Sequence, residues 1–462
     1  MLAPRPLLIV ASCVAASLLG DGSLYVVLPV VFASRGLQPW QVGIILSANR
    51  WIRLLTNGPA ARLLGFASVR TTFSCALIVG GLTSVTYGIT SAFPVIFIAR
   101  LFWGACWSVI RLTGLLVVTD CVDANLAPES SIGKMTGLFA GLSRLGSAFG
   151  MALGGIYCDA LGFDFLFVTA GMLTMLAGPF AFVCAFGPLP RVSTTAAQRL
   201  EENRKSAAAR GGTCSLPRLS AVQMRLFALA FSASCAGNGL IVSTLGAVLA
   251  SHSAVDATSG KSYLDLGIGH VETASFNGIF IGLRWALEGS GALVFGKLVD
   301  RYGWRLVAPT AFGLSSTSGI IGFVALRIAE VAGRDASGLL LVIVLGAIVC
   351  FFLCISAADI CVKSMGVRMR QQPLLVQGDD LGAAVGPLLG YALLQAELPP
   401  SAVIATQATV HAIATLVALA AVRADPHSGG VRATSPVRSG TEVAIQRVAL
   451  AAEHDDGGDE ER

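Results

Sequence analysis

Twelve apolar runs, separated by short polar breaks, leave this chain few ways to fold. They lie at 6–34, 41–61, 70–93, 94–119, 134–157, 164–188, 223–251, 270–295, 304–327, 338–362, 374–396 and 400–422. A helix that crosses a bilayer needs about 20 apolar residues, and each run is long enough. In hydrocarbon every backbone N–H and C=O must find a partner inside the protein, which a helix provides within one segment. Composition agrees: 54% of the 462 residues are hydrophobic and only 13% are Asp, Glu, Lys or Arg. A soluble protein carries about 25% charged residues. With a mean hydropathy of +0.74, the chain cannot cover itself with polar surface. An ordinary soluble enzyme, a disordered chain and a coiled coil are excluded, and an all-α polytopic membrane protein is expected.

The first run imitates a secretory signal, with Arg5 followed by apolar residues to Leu19. A signal's apolar region spans about 7–15 residues. Here hydrophobicity resumes after Gly20-Asp21-Gly22 and continues to Phe32, so a retained helix is expected. Positive charge is uneven among the loops. Arg191, Arg199, Arg204, Lys205, Arg210 and Arg218 crowd the polar stretch 189–222; Lys297, Arg301, Arg305, Lys363, Arg368 and Arg370 follow runs eight and ten. The alternate loops carry only Arg35, Lys261, Arg327 and Arg334. The positive-inside rule then places both termini and the central loop in the cytoplasm. Expected units are a six-helix bundle over 1–188, a cytoplasmic loop over 189–222, a second bundle over 223–423 and a disordered tail over 424–462.

The two halves repeat. Ser17 to Asp21 resembles Ser234 to Asn238; Arg50-Trp51 matches Arg284-Trp285; Gly146, Gly150 and Gly154 match Gly382, Gly386 and Gly390. Six plus six helices around a central loop is the duplication seen in many secondary transporters.

After run eight the chain reads Gly296-Lys297-Leu298-Val299-Asp300-Arg301-Tyr302-Gly303-Trp304-Arg305. This resembles the G-x-L-x-D-R-x-G-x-R signature loop of the major facilitator superfamily, in the position where that family carries it. The equivalent stretch after run two keeps Arg62, Leu63 and Arg70, but Gly65 stands where an acid is expected. Arg100-Leu101-Phe102-Trp103-Gly104 is similar to the family's fourth-helix pattern R-x-x-Q-G, with Trp103 replacing Gln. Gly146 to Gly155 is similar to the antiporter pattern G-P-x-x-G-G on helix five, with Met151 in place of Pro, and Gly386-Pro387 in run eleven is the fuller version. The resemblance implies two six-helix bundles around a central cavity, usually in a monomer. It implies a latch at Gly296, Asp300, Arg301, Gly303 and Arg305, a proton-coupling role for Arg100, and a tilt toward export of drugs or metabolites.

Charges inside the runs are the candidate site. A charge at mid-bilayer costs roughly 2.5–3.5 kcal/mol on insertion scales, so each needs a partner or a wet cavity. Run two carries Asn49, Arg50, Arg53 and Asn57, of which 50, 53 and 57 share a helical face. Run eleven carries Asp379 and Asp380, run eight Arg284 and Glu288, run five Arg144. Arg50 or Arg53 is expected to face Asp379 or Asp380, and Arg144 to face Glu288, as latches or as static packing. Asp21, midway along run one with neutral Asn238 as its counterpart, is either the proton carrier or a static partner of an adjacent backbone group or Arg. Arg111 is either its partner or a substrate anchor. Asp120 and Asp359 are expected to be solvated, and Trp103 and Trp107 to pack or to line a cavity wall.

Other chemistry is thin. No sequon, metal-ligand spacing, dinucleotide fingerprint or Ser/His/Asp set stands out, and Gly260-Lys261-Ser262 lacks the earlier Gly of a phosphate loop. Most of the 11 Cys lie in apolar runs, where Cys behaves as a small hydrophobe. No basic tract suggests nucleic acid and no cofactor is expected. The expectation is a secondary transporter in a plasma or inner membrane, moving a small organic molecule by proton-coupled export. Uptake of an organic anion is the second reading, and a transport-inactive scaffold the third.

Overall fold

The computed structural model describes residues 4–123, 132–185, 219–255, 261–266, 269–332, 334–369 and 372–423. The central stretch 186–218 and the tail from 424, where the basic loop and the disordered end were expected, lie outside the described residues.

Every apolar run is a helix. The first half holds α1 (Arg5–Val31), α2 (Pro39–Phe66), α3 (Val69–Ile89), α4 (Phe93–Asp123), α5 (Ile132–Leu161) and α6 (Phe163–Cys184). The second holds α7 (Ala221–Ser251), α8 (Thr273–Tyr302), α9 (Trp304–Ala332), α10 (Arg334–Arg368), α11 (Gln372–Gln395) and α12 (Ser401–Arg423). Helices α1, α3, α4, α6, α7, α9, α10 and α12 are long and apolar enough to cross a membrane by length and composition alone. The remaining four carry Arg50 and Arg53, Arg144, Arg284 and Glu288, and Asp379 and Asp380. Their reduced apolarity reflects the site they build. Large apolar side chains such as Leu55, Leu176, Val331 and Leu416 point outward and are more than two-thirds exposed without lipid.

Two features were not foreseen. The link between α7 and α8 folds into a small antiparallel sheet, β1 (Ala254–Val255), β2 (Ser262–Asp265) and β3 (His270–Glu272), in that order. In addition, α7 loosens into a π-helical turn over Cys235–Ile241. Single π turns inside α-helices concentrate at functional sites, and this one contains Asn238, the counterpart of Asp21.

The glycine repeat is where the duplication becomes physical. On α5, a Cβ on Gly146, Gly150 or Gly154 would stand 2.4, 2.5 or 2.3 Å from Ala15 O, Leu19 O or Ser23 Oγ of α1. On α11, a Cβ on Gly382, Gly386 or Gly390 would stand 2.2, 2.4 or 2.5 Å from Phe231 O, Gly239 Cα or Thr244 Cγ2 of α7. Small residues let helix backbones approach in this way. Gly150→Val is therefore expected to force α1 and α5 apart, because the obstructing atoms are backbone. A cost of at least about 1–3 kcal/mol follows, read as a lower melting temperature in detergent. Gly141→Val, where an added Cβ meets nothing within 4 Å, should leave stability unchanged.

The halves meet mainly along two seams, α2 against α11 and α5 against α8. The seams are tight only near the β-sheet. There, a Cβ on Gly278 of α8 would stand 2.5 Å from the Met151 carbonyl of α5, and Gly43 of α2 abuts Tyr391 of α11. Asn277 donates to the Val26 carbonyl at 2.7 Å. Asp159 Oδ2 accepts from Ser275 N and Oγ, both at 2.6 Å, so α5 caps the first turn of α8 from the other half. Toward the face that bears Arg5 and Arg423, Gly137 and Gly141 of α5, Gly289 and Gly296 of α8, and Gly58 of α2 meet nothing within 4 Å. The first half keeps its own core at that end, around Leu7, Val14, Phe73, Leu77 and Ile110. The seams are thus closed at the sheet face and parted at the terminal face.

Candidate functional site: a charged central cavity

Between the parted halves lies a cavity of about 280 Å³. Its first-half wall comes from α1, α2, α4 and α5, including Asp21, Tyr25, Asn49, Arg50, Arg53, Arg111 and Arg144. Its second-half wall comes from α7, α8, α10 and α11, including Asn238, Trp285, Glu288, Lys363, Asp379 and Asp380.

Among the described residues, three ion pairs that join different helices border it. The first lies within one half. Arg100 Nη1 donates to Asp21 Oδ1 at 2.6 Å, Nη2 to the Tyr25 hydroxyl at 3.3 Å, and Nε to the Ile45 carbonyl at 3.3 Å. The Tyr25 hydroxyl donates in turn toward the Leu46 carbonyl (3.0 Å) and Asn49 Oδ1 (3.1 Å). Arg100 is fully buried, whereas the Asp21 side chain keeps 16% of its surface. One guanidinium, with the five fixed donors that Arg presents, thereby ties α1, α2 and α4 together. It also lies 5.4 Å from the Tyr25 ring centroid and 6.0 Å from that of Tyr87, within cation–π range.

The other two pairs cross the seams. Arg53 Nη2 donates to Asp380 Oδ1 at 2.6 Å, and both side chains are over nine-tenths buried. Arg144 Nη1 lies 3.1 Å from Glu288 Oε1, and Arg284 Nη2 lies 4.0 Å from Glu288 Oε2 one turn away on α8. Both expected pairings are present, with Arg53 rather than Arg50 and Asp380 rather than Asp379 as the partners. At 1.5 Å per residue, Arg53 and Asp380 each lie roughly 20 Å from the sheet-side end of their helix, so equal depth lets them meet.

Several expectations are corrected. Asp21 pairs with Arg100, which the fourth-helix pattern pointed to; Arg111 lies further along α4, lining the cavity with no ion pair among the described residues. Asn57 shares the face of Arg53 but lies a further turn toward the terminal face, where α2 and α11 have parted, and it does not line the cavity. Arg284 is buried behind the wall against the rings of Trp285 and Phe352. Asp359 is not free in solvent, since Lys363 pairs with it one turn on. Lys363 was counted as a loop residue; α10 continues to Arg368, and its side chain borders the cavity. Trp107 lines the cavity, while Trp103, stacked on it at 6.3 Å, is buried. The side chain of Asp120 lies outside the described residues. In the signature segment, Gly296 and Asp300 belong to α8 itself, so only Gly303 bridges α8 and α9. Its φ of +75° explains the glycine. Arg301 lies against the Tyr302 ring.

Sequence reasoning missed Tyr25, Ser143, Ser147 and Lys363. The signal for Tyr25 was present: it stands one turn from Asp21, on the face that must meet Arg100.

Two pseudo-symmetric six-helix bundles flanking a charged central cavity define the class: a membrane transporter rather than an enzyme. Residues 10–374 match the Major Facilitator Superfamily, and the chain belongs to that family. A stretch of 167 residues is 23% identical to an uncharacterized MFS-type transporter of Methanocaldococcus jannaschii, covering 36% of this chain and 42% of that relative. Among solved structures, a bacterial homolog of the human lysosomal transporter Spinster, inward-facing and occupied, superposes with a TM-score of 0.69 at 13% identity, over 90% of this chain and 96% of that one. The nucleoside transporter NupG gives 0.64 at 12% identity, over 90% and 99%. At these identities the likeness is one of fold.

Proposed function

We propose that this chain is a proton-coupled exporter of a small organic molecule, with Asp21 as the proton carrier. The observation that carries the reading is the position of Asp21. Its carboxylate borders the cavity yet is bonded to the buried Arg100. Protonation of Asp21 removes the counter-charge of Arg100 and loosens the link between α1, α2 and α4. A proton arriving from the cavity is thereby converted into a change in helix packing, which is the coupling that alternating access needs. The positive charge of the loops supports cytoplasmic termini, and on that reading the cavity opens toward the cytoplasm. Export as the direction rests on the antiporter-like patterns around Arg100 and Gly150. Uptake of an organic anion is the second reading, supported by Arg50 and Arg111, which line the cavity without an ion pair among the described residues.

The test uses proteoliposomes holding a pH-sensitive dye, with candidate solutes applied to the purified full chain. Solute movement should drive protons the opposite way, and Asp21→Asn should abolish proton movement while the protein still elutes as a folded peak. Solute flux with no proton movement in the parent protein, and no effect of Asp21→Asn, would leave a facilitator and sink the proton reading.

A further inference from the structure

Counting which wall charges already have partners leaves a pattern that the ion pairs alone do not explain. The first-half wall carries Arg50, Arg53, Arg111, Arg144 and Asp21, a positive surface. The second-half wall carries Asp379, Asp380, Glu288 and Lys363, a negative one. Arg53 and Arg144 are taken up by Asp380 and Glu288 across the seams, Asp21 by Arg100, and Lys363 by Asp359. Three groups remain outside any ion pair among the described residues: Arg50 and Arg111 on one wall, Asp379 on the other. The Arg50 Nε is buried and has no hydrogen-bond partner, and neither has the Trp285 indole N–H on the opposite wall.

We infer that the cavity takes a small zwitterion, its anionic group bound by Arg50 and Arg111 of the first half and its cationic group by Asp379 of the second. The inference rests on the transporter reading above and names its substrate class. A charge at membrane depth is costly without a counter-charge or water, and a ligand that strips the water must replace it. A simple anion satisfies the two arginines but leaves Asp379 beside Asp380 with no ion pair of its own, balanced only at longer range by Arg50 and Lys363. A simple cation satisfies Asp379 but faces two arginines. A solute bearing both groups satisfies both walls at once, because each charge meets its opposite. Trp107 from the first half and Trp285 from the second border the same space, giving the ligand's carbon frame two aromatic surfaces. A volume of about 280 Å³ lies just below the range of drug-sized pockets, about 300–1,000 Å³, which suits a small metabolite. Because the complementary charges lie on different halves, such a ligand also pulls the halves together. It therefore binds a closed state more tightly than the open one, the differential affinity that occlusion requires.

The experiment measures ligand-dependent thermal stabilisation of the full chain in detergent, with three matched sets of probes. The sets are tryptophan, tryptamine and indole-3-propionate; leucine, isopentylamine and 4-methylpentanoate; and glycine betaine, ethyltrimethylammonium and 3,3-dimethylbutyrate. In at least one set the zwitterion should stabilise at a concentration at least tenfold below either singly charged analogue. Asp379→Asn should erase its advantage over the anion without weakening the anion. Arg111→Gln should weaken zwitterion and anion tenfold or more and leave the cation unchanged. Equal stabilisation by an anion or cation in every set, or a zwitterion preference that survives both substitutions, overturns the inference. Stabilising probes are then followed for flux in proteoliposomes. An anion that binds and is carried leaves the transporter reading standing and removes the zwitterion; a panel in which nothing binds or moves overturns both.

Discussion

Arg100→Ala is expected to cripple the first six-helix bundle. Arg100 is fully buried and bonds Asp21, Tyr25 and the Ile45 carbonyl at once. Removing it strands the Asp21 carboxylate on α1 and takes a donor from the Tyr25 hydroxyl on α1 and the Ile45 carbonyl on α2. Breaking one partner of a buried ion pair costs about 3–5 kcal/mol, a large part of the 5–15 kcal/mol that holds a typical domain folded. The loss should appear as a steep fall in melting temperature and in monodisperse yield. Asp21→Asn should also lower stability, because the fully buried Arg100 loses its counter-charge, but by less than Arg100→Ala, since the amide oxygen can still accept from Arg100 and its other two bonds remain. The double variant Arg100→Ala with Asp21→Asn should be more stable than Arg100→Ala alone, since no uncompensated carboxylate remains. Equal stability of the parent and Arg100→Ala would refute the structural role given to this residue.

The second large effect concerns the α2–α11 seam. Asp380→Ala leaves Arg53 buried beside Arg50 with nothing to balance it, and Arg53→Ala leaves Asp380 beside Asp379. Truncating one side of a buried charge pair costs about 2–5 kcal/mol. Each single variant should lose transport as well as stability, because the seam can no longer re-form the same contact in each cycle. The exchanged pair Arg53→Asp with Asp380→Arg should recover most of both. In that variant the new Asp neighbours Arg50 and the new Arg neighbours Asp379, so local charges also favour it. Recovery would identify a direct pair; an exchange as damaged as the singles would mean that the two residues act separately. A cycle of singles and double gives the coupling energy between them.

Much of this arrangement was legible in one dimension, and particular residues show why the rest was not. The offset between Gly146 and Gly382 marked two equivalent packing faces, because a helix can approach another closely only where side chains are small. Applied to Arg144, the same offset lands on Asp380, so opposite charges stand at equivalent positions of the two halves. It could not say that Arg53 rather than Arg50 would find Asp380. Those arginines are three residues apart, nearly one helical turn, and the choice depends on how far α2 is rotated and lifted against α11. Arg111 and Arg100 posed the same problem on α4. Both are arginines in one apolar run, and only the height of Asp21 on α1 decides which it meets. Lys363 was misplaced because hydropathy falls before α10 ends; the helix runs on past the apolar stretch and carries the ammonium to the cavity's edge.

The sequence by itself determined the solvent, the number of crossings, the internal duplication and the cost of the charges within them. These are properties of local composition and period, and a bilayer enforces them segment by segment. Only the tertiary structure decided which charges cancel, which three among the described residues are left facing the cavity, and that the cavity opens at the end of the bundle that bears Arg5 and Arg423. Those outcomes depend on the azimuth and depth of helices separated by up to 327 positions in the chain, and on whether Gly278 or Gly289 marks where α8 touches α5. Close packing between helices sets those quantities, and no single segment contains them.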